Sequence, residues 1–505
     1  LQIKSDGGVL LAKGTAEDSI VMTSSNEAGK IYWGGIDIQS SDNRNTIEYA
    51  KIHYGGGVEL DFADFVDLGA NIGLRDGGAL NLTHTKVSQS KGYGLYMRYG
   101  ELNDFENNDF DNNSQAALGT NLEESSSLDD ATTFSGNPYA VEIYGSSLEA
   151  PDQVYLPKLA SDASYYVSGD LKINSYFSAN AGSKFHMAEN VSLRVQKDGA
   201  FVADAAEAET IIFTSARASS GIHWKGISIK SADARNILSN VEVSYAGNSN
   251  WGDFADFVDL QANIALMNGG KLSLLNTTVS HSKGYGMYIR FGDLVQFGGN
   301  SFAENASVSI GLNANMAAQM DGGTTFTNNG WDGVEVFRST LTEEVTWVAL
   351  SGDSKYRING DIQVHQGLTL NPGVHAVADE NTFFKVNESG YFNAEGTSSN
   401  RITLTTSNLP GEIHWGGVWI ETSDARNVLD YVDISYGGGA KMDLDDFQDI
   451  AANVGGDSDA RVSITNSNIE NSAGYGVYFQ GTINDILTTG AGNTFTNNTN
   501  NAFIP

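Results

Sequence analysis

The sequence predicts an all-β solenoid, in which short parallel strands stack coil upon coil along one axis. Three observations predict it. The chain of 505 residues repeats itself three times. Trp33, Trp224 and Trp415 open the phrases YWGGIDI, HWKGISI and HWGGVWI, with a period of about 191 residues, too long for a coil and typical of a stacked array. Tyr54, Tyr245 and Tyr436 keep that spacing, and GYGLY (92–96), GYGMY (284–288) and GYGVY (474–478) nearly do. A shorter beat runs inside each repeat. In the second repeat, ISI (227–229), IAL (264–266), MYI (287–289), VSI (308–310), VEV (334–336) and RIN (357–359) carry apolar residues at alternate positions, the period of a strand. Finally, Gly is abundant (57) and Pro scarce (6), which suits many short strands joined by tight turns.

The elements follow in order. Repeat one spans 1–192, repeat two 193–383 and repeat three 384–505, the last one truncated. Most strand-to-strand steps are about 21–26 residues, the length of one coil of a parallel β-helix. The longer step before Ile264 holds an insertion. At about 4.8 Å per coil, roughly 21 coils form one continuous rod about 100 Å long, with equivalent points about 38 Å apart. Ile3 to Gly7 match Val195 to Gly199, and GNTFTNN (492–498) matches GNSFAEN (299–305), so both ends lie inside the pattern. The expectation is a longer natural chain, or ends that dock on something, including head-to-tail self-association.

Composition sets limits on function. The net charge is −33, which disfavours nucleic acid, since phosphate binding needs a basic face. With no Cys, there are no disulfides, thiolate metal sites or Cys nucleophiles. No apolar run is long enough to span a membrane. No signal peptide or initiator Met is present, so the chain reads as a mature or excised fragment. An acidic, Cys-free, Asn- and Thr-rich chain fits an extracellular or bacterial cell-surface location.

The phrases IIFTS…GIHWKGISI…NILSNVEVSYAG (211–247), ITLTTS…EIHWGGVWI…NVLDYVDISYGGG (402–439) and SITNSNIENSAGYGVY (463–478) resemble the right-handed parallel β-helix repeat proteins of bacterial surfaces, within the pectate-lyase-like superfamily. The resemblance covers essentially the whole chain and implies a single right-handed parallel β-helix. It does not choose an activity, because that fold hosts lyases, hydrolases and adhesins. The catalytic motifs of the superfamily are missing. The NTD…DD…GHG…RIK set of polygalacturonases does not occur, and the pairs Asp129-Asp130 and Asp445-Asp446 lack the remainder. The Arg-x-Pro-x-x-Arg of pectate lyases and the Asp-Pro-His of alginate epimerases do not occur either.

Alternation supplies the candidate sites. With Tyr285, Met287 and Ile289 inside, Tyr288 and Arg290 point outward, as do Tyr96 and Arg98 in repeat one and Tyr478 in repeat three. An exposed aromatic ring beside a cation offers an acidic sugar a flat platform and a carboxylate fork. Glu142 and Glu335 face outward two coils later. Trp419 lies between inward Val418 and Ile420, where the other repeats have Asp37 and Ser228, and is expected to be an outward platform. The ordinary alternative is an outer sheet face whose aromatics pack on one another. The phrases DFADFVD (61–67 and 253–259) and DLDDFQD (443–449) space their aspartates three apart: Asp61, Asp64 and Asp67; Asp253, Asp256 and Asp259; Asp443, Asp446 and Asp449. On one short helical turn they share a face, either as a solvated edge or as a Ca²⁺ site. Trp33, Trp224 and Trp415 read as packing residues at a corner. So do His223 and His414, whose position Tyr32 fills in repeat one.

The leading reading is a secreted or surface-displayed rod that acts as an adhesin, matrix component or polysaccharide-binding scaffold. Repeated weak sites then gain from a repeating polymer. The alternatives are a lyase or hydrolase of an acidic glycan, with Tyr96 or Tyr288 as base, and a self-assembling filament subunit.

Overall fold

The structure, a computed structural model, describes the chain except residues 64–65, 207, 253–259, 408–412, 445–447, 481–486, 490–491 and 501–505. The chain is divided into two compact units, Leu1–Asn263 with Gly269–Ser273, and Ile264–Asn268 with Leu274–Pro505. Each is a parallel β-helix.

In the first unit one sheet runs through Gln2–Ile3, Ile36–Ile38, Ala70–Arg75, Tyr93–Arg98, Ala116–Thr120, Tyr139–Ile143, Tyr165–Val167 and Lys184–Met187. Every pairing along it is parallel. A second sheet holds Leu11–Lys13, Thr46–Glu48, Ala79–Thr83 and Glu101–Glu106, and a third holds Ile20–Met22, Ala50–His53, Lys86–Ser88, Asp109–Asp111 and Thr133–Ser135. Successive coils thus give one strand to each sheet. The second unit is built the same way: Tyr285–Arg290, Val308–Asn313, Trp331–Leu341 and Lys355–Val364 pair in parallel, while Glu344–Trp347, Gly367–Leu370 and Tyr391–Glu395 form a separate parallel sheet.

Alternate residues fill the interior. Ile72, Leu95, Leu118 and Val141 are partners across four coils of the first unit and are fully buried, as are Met287, Ile310 and Val334 in the second. Burying such side chains contributes roughly 1.5–3 kcal/mol each. Aromatic rings stack along the axis, with Phe185 and Phe213 4.6 Å apart and Phe177 and Phe201 5.3 Å apart.

The repeated phrases build corners. Trp33, Trp224 and Trp415 each donate the indole N–H to a carbonyl, at 2.7 Å to His53, 2.8 Å to Ser244 and 2.8 Å to Ser435. Their backbone amides bond to the carbonyls of Tyr54, Tyr245 and Tyr436. His223 and His414 pack on Tyr245 and Tyr436, as Tyr32 packs on Tyr54, so these positions are packing corners. Asn45, Asn236 and Asn427 sit in the same turn of each repeat. Each accepts the amide of the preceding coil, from Leu10, Phe201 and Phe392, at 2.8 Å. Satisfying such buried backbone groups is obligatory, because an unpaired one costs about 1–3 kcal/mol.

Among the described residues, two insertions leave the coil as antiparallel hairpins: Leu60–Ala63 with Val66–Leu68, and Met442–Leu444 with Gln448–Ile450. The sequence had suggested a helical turn there. Leu60 and Phe62, and Met442 and Leu444, are instead buried with Asp61 and Asp443 exposed between them, the alternation of strand residues.

Candidate functional site

Strand Tyr93–Arg98 turns Leu95 and Met97 into the core and Tyr96 and Arg98 away from it. Tyr96 is nevertheless only 4% exposed, which corrects the expectation of an open platform. The hairpin lies over this face, and its Leu60 and Phe62 close on Tyr93 and Tyr96. Phe62 meets Tyr96 edge-on at 4.7 Å, and Tyr144 stacks on it at 5.9 Å. The Tyr96 ring packs against Gly119, its strand partner. A Cβ there would come within 2.6 Å of the ring.

Tyr288 repeats the arrangement and is 3% exposed, covered by Tyr285 and Phe337, with Gly311 beneath it. Burial raises both phenols above their ordinary pKa, and Arg98 and Arg290 pull back only partly. A base for β-elimination needs the opposite shift and open access.

What lies open is the next residue. Tyr99 is 64% exposed and Phe291 60%. Both follow the strand at a left-handed corner, with φ of 56°. The Arg98 guanidinium rests 5.6 Å from the Tyr99 ring and 5.3 Å from that of Tyr144, and Arg290 lies 5.3 Å from Phe291. Alternation could not find these rings, because they stand past the strand end. The repeated RYG (98–100) and RFG (290–292) were the available signal.

The two glutamates differ. Glu142 is half-buried, accepts the Tyr93 hydroxyl at 2.8 Å and pairs across the sheet with Tyr166. Tyr166 stacks on Tyr139 at 3.8 Å and 6°, and Tyr139 is 40% exposed. Glu335 is buried rather than open. It accepts Tyr285 at 2.6 Å and Asn359 at 2.9 Å, and its sheet partner is Arg357, 3.7 Å away. Arg357 is itself clamped by Asp379 at 3.0 Å.

Trp419 is likewise not a platform. It is 9% exposed, packed with Met442 and Leu444 of the second hairpin, with half-buried Tyr478 against the same cluster. Lys385 sits 3.6 Å above its ring and pairs with Glu421 at 2.9 Å.

Four of the aspartates fall on hairpins. Asp61 faces Asp67 and Asp443 faces Asp449 across the strands, all four side chains exposed. Asp64, Asp253, Asp256, Asp259 and Asp446 lie outside the described residues. Among the described residues, no group of three or more His, Asp or Glu is placed to hold a metal ion.

An acidic groove of about 500 Å³ escaped the sequence reading. It is lined by Glu101, Glu123, Glu124 and Asp152 with Leu102, Ser126, Ser127 and Gln153. Burial pushes the Glu124 carboxyl up to about 7, and Glu123, Glu101 and Asp152 add to the shift. No spacing marks this groove, because Glu101, Glu124 and Asp152 come from three successive coils.

Residues 4–150 match the family described as the right-handed beta helix region. The match lies within the first unit, and the parallel coils described above agree with a right-handed parallel β-helix fold. Comparisons with curated proteins and with solved structures found no match. Among the described residues, no helix is long and apolar enough to cross a membrane.

Proposed function

We propose that this β-helix is a secreted or cell-surface scaffold that binds polysaccharide through aromatic side chains on its coils. The observation that carries the reading is the pair Tyr99 and Phe291. Equivalent places in two repeats hold a large ring in solvent, each with an arginine against it. A ring face takes the apolar face of a sugar, and the guanidinium fork takes its oxygens. Two copies of one weak determinant suit a polymer that repeats. The net charge of −33 argues against nucleic acid as the partner. The burial of Tyr96 and Tyr288 counts against these two tyrosines as the base of a lyase.

The test is a glycan array read for both retention and cleavage products. Retention without products, reduced in a Tyr99→Ala/Phe291→Ala variant, is expected. Unsaturated or reducing-end products from the wild type would overturn the binding reading in favour of an enzyme.

A further inference from the structure

The open part of the first-repeat sheet face is the Tyr139–Tyr166 stack beside Glu142. The two rings are parallel at 3.8 Å, on consecutive coils, and Tyr139 is substantially exposed. Rings stacked this closely cover each other's inner faces, so a ligand meets the outer face of Tyr139, with Tyr166 behind it. Glu142 stands between Gly119 and Tyr166 across the sheet, with the Tyr96 and Tyr93 rings over the glycine. One carboxylate oxygen of Glu142 is held by the Tyr93 hydroxyl at 2.8 Å, which fixes the group's orientation.

The second repeat treats its counterpart differently. There Trp331 pairs with Val308 as Tyr139 pairs with Ala116, but an arginine replaces Tyr166 beside the glutamate. Arg357 and Asn359 take up the Glu335 carboxylate. In the first repeat the equivalent carboxylate faces a phenol instead, and Tyr166 stays protonated, its pKa pushed up to about 12 by burial and by Tyr139. Arg217 near Tyr166 is tied to Glu189 at 3.0 Å.

We infer that Tyr139, Tyr166 and Glu142 form a sugar subsite of the first repeat that takes an uncharged, hydroxyl-rich glycan. The inference rests on the proposal that the protein binds polysaccharide, and it adds the charge class. The outer face of Tyr139, backed by Tyr166, receives the C–H face of a pyranose, and the oriented carboxylate accepts its hydroxyls. A polyanion meets Glu142, Glu189 and the net charge of −33. A polycation is drawn to that charge anywhere on the surface and gains nothing particular at this face. An uncharged chain is held by the ring and the carboxylate alone.

The experiment is titration of the full chain with a soluble uncharged glucan, a polyuronate and a polyglucosamine, each at low and high salt. The glucan is expected to bind with little salt dependence. Tyr139→Ala is expected to weaken it by about tenfold, the scale of one lost aromatic contact. Tyr139→Phe keeps the ring and should retain binding, and Glu142→Gln should weaken it without loss of fold, checked by circular dichroism. If glucan binds but Tyr139→Ala and Glu142→Gln leave it unchanged while Tyr99→Ala weakens it, this subsite is refuted and the polysaccharide reading stands. If polyuronate or polyglucosamine binds in preference, the charge class is refuted. If none of the three binds, the polysaccharide reading falls with it.

Discussion

Glu124 places a pH-dependent cost inside the first unit. It lies in the short helical turn Glu124–Ser127 and shares its groove with Glu101, Glu123 and Asp152. Folding lifts its pKa from 4.5 to about 7. Below pH 4.5 the carboxyl is protonated in both states, so it costs nothing. As pH rises through 4.5 the unfolded chain ionises while the folded one holds its proton, and stability falls until about pH 7. The full shift corresponds to roughly 3 kcal/mol, but a partly exposed carboxyl keeps much of its screening, and about 1–2 kcal/mol is the realistic scale. Glu124→Gln keeps the shape and removes the charge. The variant should melt about 2–4 °C above the wild type at pH 8 and together with it at pH 4, since melting shifts by a few degrees per kcal/mol in units of this size. Thermal melts followed by circular dichroism across pH 4–8 make the comparison. Parallel curves, with the same offset at every pH, would refute the assignment of a raised Glu124.

Two further outcomes follow from the covered face. Gly119→Val should cost about 1–3 kcal/mol by forcing the Tyr96 ring off its seat, read as a lower melting temperature; an unchanged melt would mean the ring does not lie on Gly119. Added Ca²⁺ should raise the melting temperature by relieving the like charges of Asp61 and Asp67, and Asp61→Asn should shrink that gain; equal melts with calcium and with chelator would leave the hairpin as a cover alone.

The coil architecture was legible because its signals are local. The alternation at Met287, Ile289 and Ile310 states directly which side chains enter the core, and each is fully buried. The same alternation aimed Tyr96 and Tyr288 outward but put Tyr285 inside, whereas Tyr285 packs on Tyr288 and reaches Glu335, and it said nothing of what covers this face. That depends on where an insertion folds, and the three-residue aspartate spacing suited a helical turn as well as a hairpin. Trp419 was misjudged for the same reason, under Met442 and Leu444. Tyr99 and Phe291 fall beyond the strand, where period-two reasoning stops. Tyr139 and Tyr166 meet only because adjacent coils stack, and the second repeat puts Arg357 where the first has Tyr166, so the repeat pattern could not flag the pair.

If the exposed rings at equivalent corners bind one repeating polymer, titration of a bound polysaccharide and of its short oligosaccharide against wild type, Tyr99→Ala, Phe291→Ala and the double variant will show it. Each single change should weaken the polymer more than the oligosaccharide, and the double change should remove the polymer's advantage, because only the long chain gains from linked sites. Equal affinities for all four proteins, or equal losses for polymer and oligosaccharide, would contradict it.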